Sequence, residues 1–341
     1  MRRTIVSLSL AALVAVAAAG CGGSNKSGNA GQQVSSIPST PESGTFHMGT
    51  EPWLGYGPWW IAKDKGLFAK HGLTTQITNF ETDDQINAAL ASGKLDGANI
   101  ATHTALRLAA SGLPISVVML EDESETADAI LAGPGISSIS DLKGKKVAFE
   151  EGTTSDILLH HALSANGLSI KDVQTVPMAA ADVGAALVAG KVQVGVTYEP
   201  YISTVLKAHP DDKRIYSAGQ DPGLVGDVFV VRNDVLKSKP GQVAAMLRTW
   251  GDSVDYLNGN KADGQAIITK AVGAQPGDLT TAFDGVKIYT LAQAESLLHG
   301  AYVSKTIVDV KQAATDANLL HGDIDPKTLI ATQFIDEVTK S

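Results

Sequence analysis

Three of the chain's four tryptophans, Trp53, Trp59 and Trp60, fall within EPWLGYGPWWIAKDKGLFAKHGL, residues 51–73. Gly55 and Gly57 between them allow backbone conformations that a side chain resists. Pro58 stands where a first helical residue belongs, and Gly72 closes the helix after Lys70 and His71. The stretch therefore reads as an aromatic, glycine-bearing loop running into a helix N-terminus. Such a loop brings a ligand's polar atoms to backbone N–H groups while rings cover its carbon skeleton. Trp53 and Tyr56 are the candidate contacts; Trp60 has a competing role in the core.

Polar groups recur at comparable strand tips. Asn99 and Thr102 end one strand, with His103 beside them. Glu121 to Ser124 end another, and Gly152-Thr153-Thr154-Ser155-Asp156 follows a third. Tyr198, Glu199 and Tyr201 lie at a fourth tip, and Asp227 opens a further strand. The structural alternative for Thr102 and Thr153 is helix capping. No Lys or Arg stands at these tips, so a bare anion such as nitrate would face uncompensated carboxylates. A zwitterion satisfies both halves of the set. Its anionic end would lie at Gly152–Ser155, and its nitrogen end at Glu199 with Asp122 or Asp227. A taurine-like compound is the first expectation, and an aminopyrimidine stacked on Trp53 or Tyr198 is the alternative. The ligand set is thus Trp53, Tyr56, Asn99, Thr102, Asp122, Thr153, Thr154, Ser155, Tyr198, Glu199 and Asp227.

Catalytic signatures are missing: there is no Gly-x-Ser-x-Gly, P-loop or zinc spacing. His103 has no second ligand at metal spacing. His160 and His161 are adjacent, so on a helix they diverge by about 100°. No catalytic residue, metal or cofactor is expected.

The elements that position these tips alternate. Strands are expected over 45–50, 74–80, 95–100 and 115–120, with helices between them, which calls for a mostly parallel sheet in an α/β fold. A second series follows: strands over 129–132 and 145–150, then a helix over 157–166. AALASGKLDGANI, residues 88–100, is echoed by AALVAGKVQVGVT, residues 185–197. That echo fits two similar lobes facing across a cleft, with chain crossings near 123–127 and 226–228. Helices over 240–257, 277–283, 290–298, 306–318 and 326–338 are assigned to the first lobe, with Trp250 in its core.

The formal charge of −9 argues against nucleic acid as a partner. Residues 1–20 read as a signal peptide, with Arg2 and Arg3 before an apolar run too short to span a membrane. The run ends Ala18-Ala19-Gly20-Cys21, which is similar to a bacterial lipoprotein junction except that Ala18 stands where Leu is more usual; the alternative is an ordinary signal peptide with an incidental Cys21, the chain's only cysteine. Residues 21–44, rich in Gly, Ser, Asn and Pro, read as a flexible tether behind the lipidated Cys21.

From about Thr45 onward the chain resembles the solute-binding proteins of nitrate/taurine/sulfonate ABC importers. W-x-G-Y-x-P and G-L-F-x-K-x-G-L carry the resemblance in the first lobe; D-L-K-G-K-K-V-A, E-G-T-T-S and T-Y-E-P carry it in the second. It departs from the family at Tyr198 and Tyr201, where Trp is often found, and at Glu125-Thr126. The resemblance implies a two-lobe, type II periplasmic-binding-protein fold, with lobe 1 over 45–127 and 228–341 and lobe 2 over 128–227. It implies a monomeric, extracytoplasmic, lipid-anchored binder that delivers a small solute to a membrane permease. The same fold occurs in thiamine-pyrimidine synthases, the competing reading from a different class.

Overall fold

The computed structural model describes residues 36–275 and 277–340. The expected signal peptide, the expected lipidation site Cys21 and most of the expected tether lie outside the described residues. The strands are β1 (Thr45–Thr50), β2 (Thr74–Asn79), β3 (Gly97–Ala101), β4 (Ile115–Ser124), β5 (Asp128–Ala132) and β6 (Lys146–Phe149). They continue with β7 (Gln174–Pro177), β8 (Val194–Tyr198), β9 (Lys213–Ser217), β10 (Gly226–Arg232) and β11 (Val286–Ile288).

They form two mixed sheets. The first has six strands in the order β11-β4-β10-β3-β1-β2, and the second five in the order β7-β6-β8-β5-β9. β1 runs parallel to β2 and β3, whereas β10 returns antiparallel between β3 and β4. In the second sheet β6 is parallel to β7 and β8, and β5 is antiparallel to β8 and β9. Strands covered on both faces must be apolar or small. GANIA of β3 is buried throughout, and a Cβ at Gly97 would come within 2.7 Å of the Val230 carbonyl oxygen.

The aromatic stretch forms the helix Gly57–Asp64 with Pro58 in its first turn. It separates the three tryptophans. Trp59 is fully buried, 5.1 Å from Trp250 and 5.3 Å from Phe229 by ring centroids, and its Nε1 donates to Glu121 at 2.7 Å. Trp60 is half-buried at the outer side, with Lys63 over its ring. Trp53 precedes the helix and faces the cleft.

The C-terminal segment differs most from expectation. The expected helix over 277–283 is instead a turn leading to a short 3-10 segment, Ala282–Gly285, and then β11. Positive φ at Gly273 and Gly277 breaks helical continuity there. The helix Lys261–Ala271 carries little apolar periodicity and was not expected. The segment over 306–318 begins in a π-helical turn, Tyr302–Thr306, before the helix Ile307–Asp316. The segment over 326–338 splits into a 3-10 turn, Pro326–Leu329, and the helix Gln333–Thr339, with Ile330 bridging to Val117 between them.

Candidate functional site

The carboxyl ends of β1, β3 and β8 converge on a cavity of about 430 Å³, counting its open mouth. From the six-stranded sheet and its connections come Glu51, Trp53 and Tyr56 after β1, Asp83 and Ile86 from the helix Asp83–Ala91, Asn99 in β3, and Asp227 from β10, which lies in this sheet although residue 227 falls just inside the expected second lobe. From the five-stranded sheet and its connections come Asp128, Thr154 and Tyr198. Trp53 and Tyr198 meet edge to face across the cleft at 5.8 Å. Lys207 of the second lobe bonds Asp278 at 2.7 Å, so the two lobes are drawn together.

Gly55 allows this packing. A Cβ there would lie 2.1 Å from Asp122 Oδ2 and 2.3 Å from Trp53 Nε1. Without one, the indole N–H donates to Asp122 Oδ1 at 3.2 Å. Asn99 donates through Nδ2 to Thr50 Oγ1 at 2.9 Å, leaving its buried Oδ1 with no donor among the described residues.

The acid–base side chains that line the cavity, tyrosines apart, are all carboxyl groups. Burial, then repulsion from Asp83, pushes the Glu51 carboxyl well above its usual range. Burial also raises Asp83. Burial and then repulsion from Glu121 push Asp122 well up, and burial and then repulsion from Asp122 push Asp227 well up. Asp128 is raised to about 7 by burial, against hydrogen bonds from Ser124 and Thr154. No Lys or Arg lines the cavity. His103 is buried and lowered to about 4, first by burial and then by Arg107, so its imidazole is neutral. Among the described residues no His, Cys, Asp and Glu group is arranged to hold a metal ion.

Of the expected ligand set, Trp53, Tyr56, Asn99, Thr154, Tyr198 and Asp227 line this cavity. Thr102 and Asp122 line an adjoining chamber of about 360 Å³ that shares Asp227 as a wall. Thr102 bonds the Tyr302 hydroxyl at 3.1 Å rather than capping its helix. Three expected residues lie outside the lining of both chambers. Glu199 is fully buried away from the cavity, accepting from the Ser203 N–H at 2.9 Å and from Arg214 at 3.1 Å. Thr153 spends its hydroxyl locally, donating to the Glu150 carbonyl at 2.9 Å and accepting from the Ser155 N–H at 3.2 Å. Ser155 Oγ is buried outside the lining with no partner among the described residues. The Gly152 N–H is also taken, by Asp156 at 2.8 Å. The expected anion tip is thus largely self-satisfied and offers the cavity only Thr154.

Glu51, Asp83 and Asp128 are lining residues that the sequence reading missed. Asp83 sits in a first helical turn, where an acid is already explained by the helix dipole. Asp128 begins a strand, where only its following residues carry a pattern. Glu51 had a usable signal, since it directly follows β1 and adjoins the aromatic loop.

Residues 55–262, more than half of the chain, match the NMT1/THI5-like family. The chain belongs to that family. A binding protein of Brucella abortus is 28% identical over 270 residues, covering 78% of this chain and 83% of that one. The taurine-binding periplasmic protein of Escherichia coli is 25% identical over 263 residues, covering 74% and 81%. The alkanesulfonate-binding protein of Xanthomonas axonopodis pv. citri, solved with MOPS bound, superposes with a TM-score of 0.74 at 19% identity, over 85% of this chain and 99% of that one. This member of the family therefore has the two-lobed periplasmic-binding-protein fold, and the curated relatives named here are binding proteins.

Proposed function

We propose that the chain is an extracytoplasmic solute-binding lipoprotein that closes two lobes on a small amine-bearing organic molecule and delivers it to an ABC importer. Lobe 1 is residues 45–127 and 228–341, and lobe 2 is residues 128–227, with β10 starting just before the second boundary. The observation that carries the ligand reading is a cleft whose acid–base lining groups, tyrosines apart, are all carboxyl groups, beside the free acceptor of Asn99. Desolvated acceptors without partners are costly, and N–H donors on a ligand remove that cost.

A taurine-like zwitterion keeps a place for its amine at these acids. Its sulfonate would have Thr154 and the N-terminus of the helix Thr154–Ala165, with no cation beside it. The second reading is an aminopyrimidine. Trp53 and Tyr198, packed edge to face, give a flat ligand an aromatic wall, and the Asn99 Oδ1 acceptor suits an exocyclic amine. Nitrate offers no donor to any of these groups.

A thermal-shift panel of taurine, amine-free alkanesulfonates, primary amines, aminopyrimidines and nitrate tests the reading. A bound ligand at 100 times its dissociation constant adds about 2.7 kcal/mol. Amine-bearing compounds are expected to stabilise the protein and amine-free anions to leave it unchanged. Stabilisation by nitrate or an amine-free sulfonate alone would refute the proposal.

A further inference from the structure

Four of the carboxyl groups are arranged as two pairs, with Glu121 and Asp128 also facing the Asp122–Asp227 pair and Glu150 acting on Glu51. Asp122 and Asp227 adjoin, and Asp122 Oδ2, in a residue only 2% exposed, has no donor among the described residues. Glu51 and Asp83 adjoin likewise, and Glu51 Oε1 has no donor. Two carboxyl groups offer each other only acceptors, so each pair is joined either by a shared proton or by a cation. The first pair is deeply buried, at the wall between the two chambers; the second is half-buried, on the other lining elements of the main cavity. Neither chamber has a Lys or Arg in its lining. Arg107 acts on Asp83 from outside the lining, and the nearby Lys287 is held by Glu123 at 2.8 Å. Among the described residues these acids form no metal-holding group, and an organic cation is the alternative to a shared proton at each pair.

We propose that the two pairs are two cation seats, and that the solute is a compact organic dication with one nitrogen at Glu51–Asp83 and the other at Asp122–Asp227. This rests on the amine reading above and makes it more specific. The carbon skeleton between the nitrogens lies along Trp53 and Tyr198. The adjoining chamber, walled by Tyr289 and Tyr302, gives room for substituents beyond the inner nitrogen. In the empty site each pair holds a proton, and the dication displaces it to solvent, so binding releases protons and weakens as pH falls.

Isothermal titration calorimetry on the mature wild-type protein tests this. The probes are α,ω-diaminoalkanes from ethylenediamine to hexamethylenediamine and the primary monoamine of each chain length. Two buffers of different ionisation enthalpy report the proton count. At the best-fitting length the diamine is expected to bind at least tenfold more tightly than its monoamine, with net proton release. Asp83→Asn and Asp122→Asn should each bring the diamine down to the monoamine's affinity. Equal affinity for the two series would overturn the two-seat proposal while leaving the amine reading intact. Binding of taurine or nitrate with no binding of any amine would overturn both. The wild-type comparison decides even where a variant does not fold.

Discussion

Asp128 shows how a single buried acid reports on the empty cleft. Its carboxyl, raised from 3.8 to about 7, holds its proton more tightly in the folded than in the unfolded chain. Its contribution to stability is therefore present at acid pH and lost as pH rises from about 4 to about 7. The loss is at most about 4 kcal/mol, at about 1.4 kcal/mol per unit. Asp128→Asn is expected to raise the melting temperature of the ligand-free protein at about pH 8 and to flatten its pH dependence below that. Calorimetry across that range checks this, and an unchanged slope would contradict it. Glu199 makes the opposite case. With its carboxylate on Ser203 and Arg214, Glu199→Gln is expected to cost about 1–3 kcal/mol of ligand-free stability. It should leave the preference between amine and amine-free ligands unchanged; a selective loss of amine binding would return Glu199 to the site. Residue type and position at strand ends pointed to Trp53, Tyr198 and Asp227, which do line the cavity. They did not separate Glu199 from Asp128, since both are acids at β8 and its neighbour β5, and only side-chain direction distinguishes them.

At the scale of elements, the strand–helix alternation was readable because its helices close on glycines. Gly93, Gly112, Gly167 and Gly190 all take positive φ where L side chains are strained. The short edge strands β7, β9 and β11 were not readable. A three- to five-residue edge strand carries too little alternation to stand out from a loop. The cleft contacts are also element properties. Trp53 against Tyr198 and Lys207 against Asp278 each join a segment of one lobe to a segment of the other. Neither contact is large, and the exposed ion pair is worth no more than about 1 kcal/mol. On the proposed closure about the two chain crossings, the ligand supplies most of the closing energy. Small-angle scattering is expected to give a smaller radius of gyration with saturating ligand than without. Identical curves would mean that the crossings near 123–127 and 226–228 do not act as hinges.

At the scale of the whole molecule, the proposed lipid anchor at Cys21 and the acid-lined cleft each carry a prediction. Cys21→Ser is expected to release the protein from the membrane fraction or to leave its signal uncleaved, and to abolish incorporation of labelled palmitate. A wild-type protein that already fractionates as fully soluble and takes up no label would contradict anchoring. The central claim is that the cleft is built for a nitrogen-bearing solute. The most direct measurement is mass spectrometry of the small molecule released on denaturing protein purified from its native membranes. The account expects a compound carrying at least one amine or amidine nitrogen, present in near-stoichiometric amount and lost from Asp227→Asn. An amine-free sulfonate or nitrate recovered in that amount would contradict it.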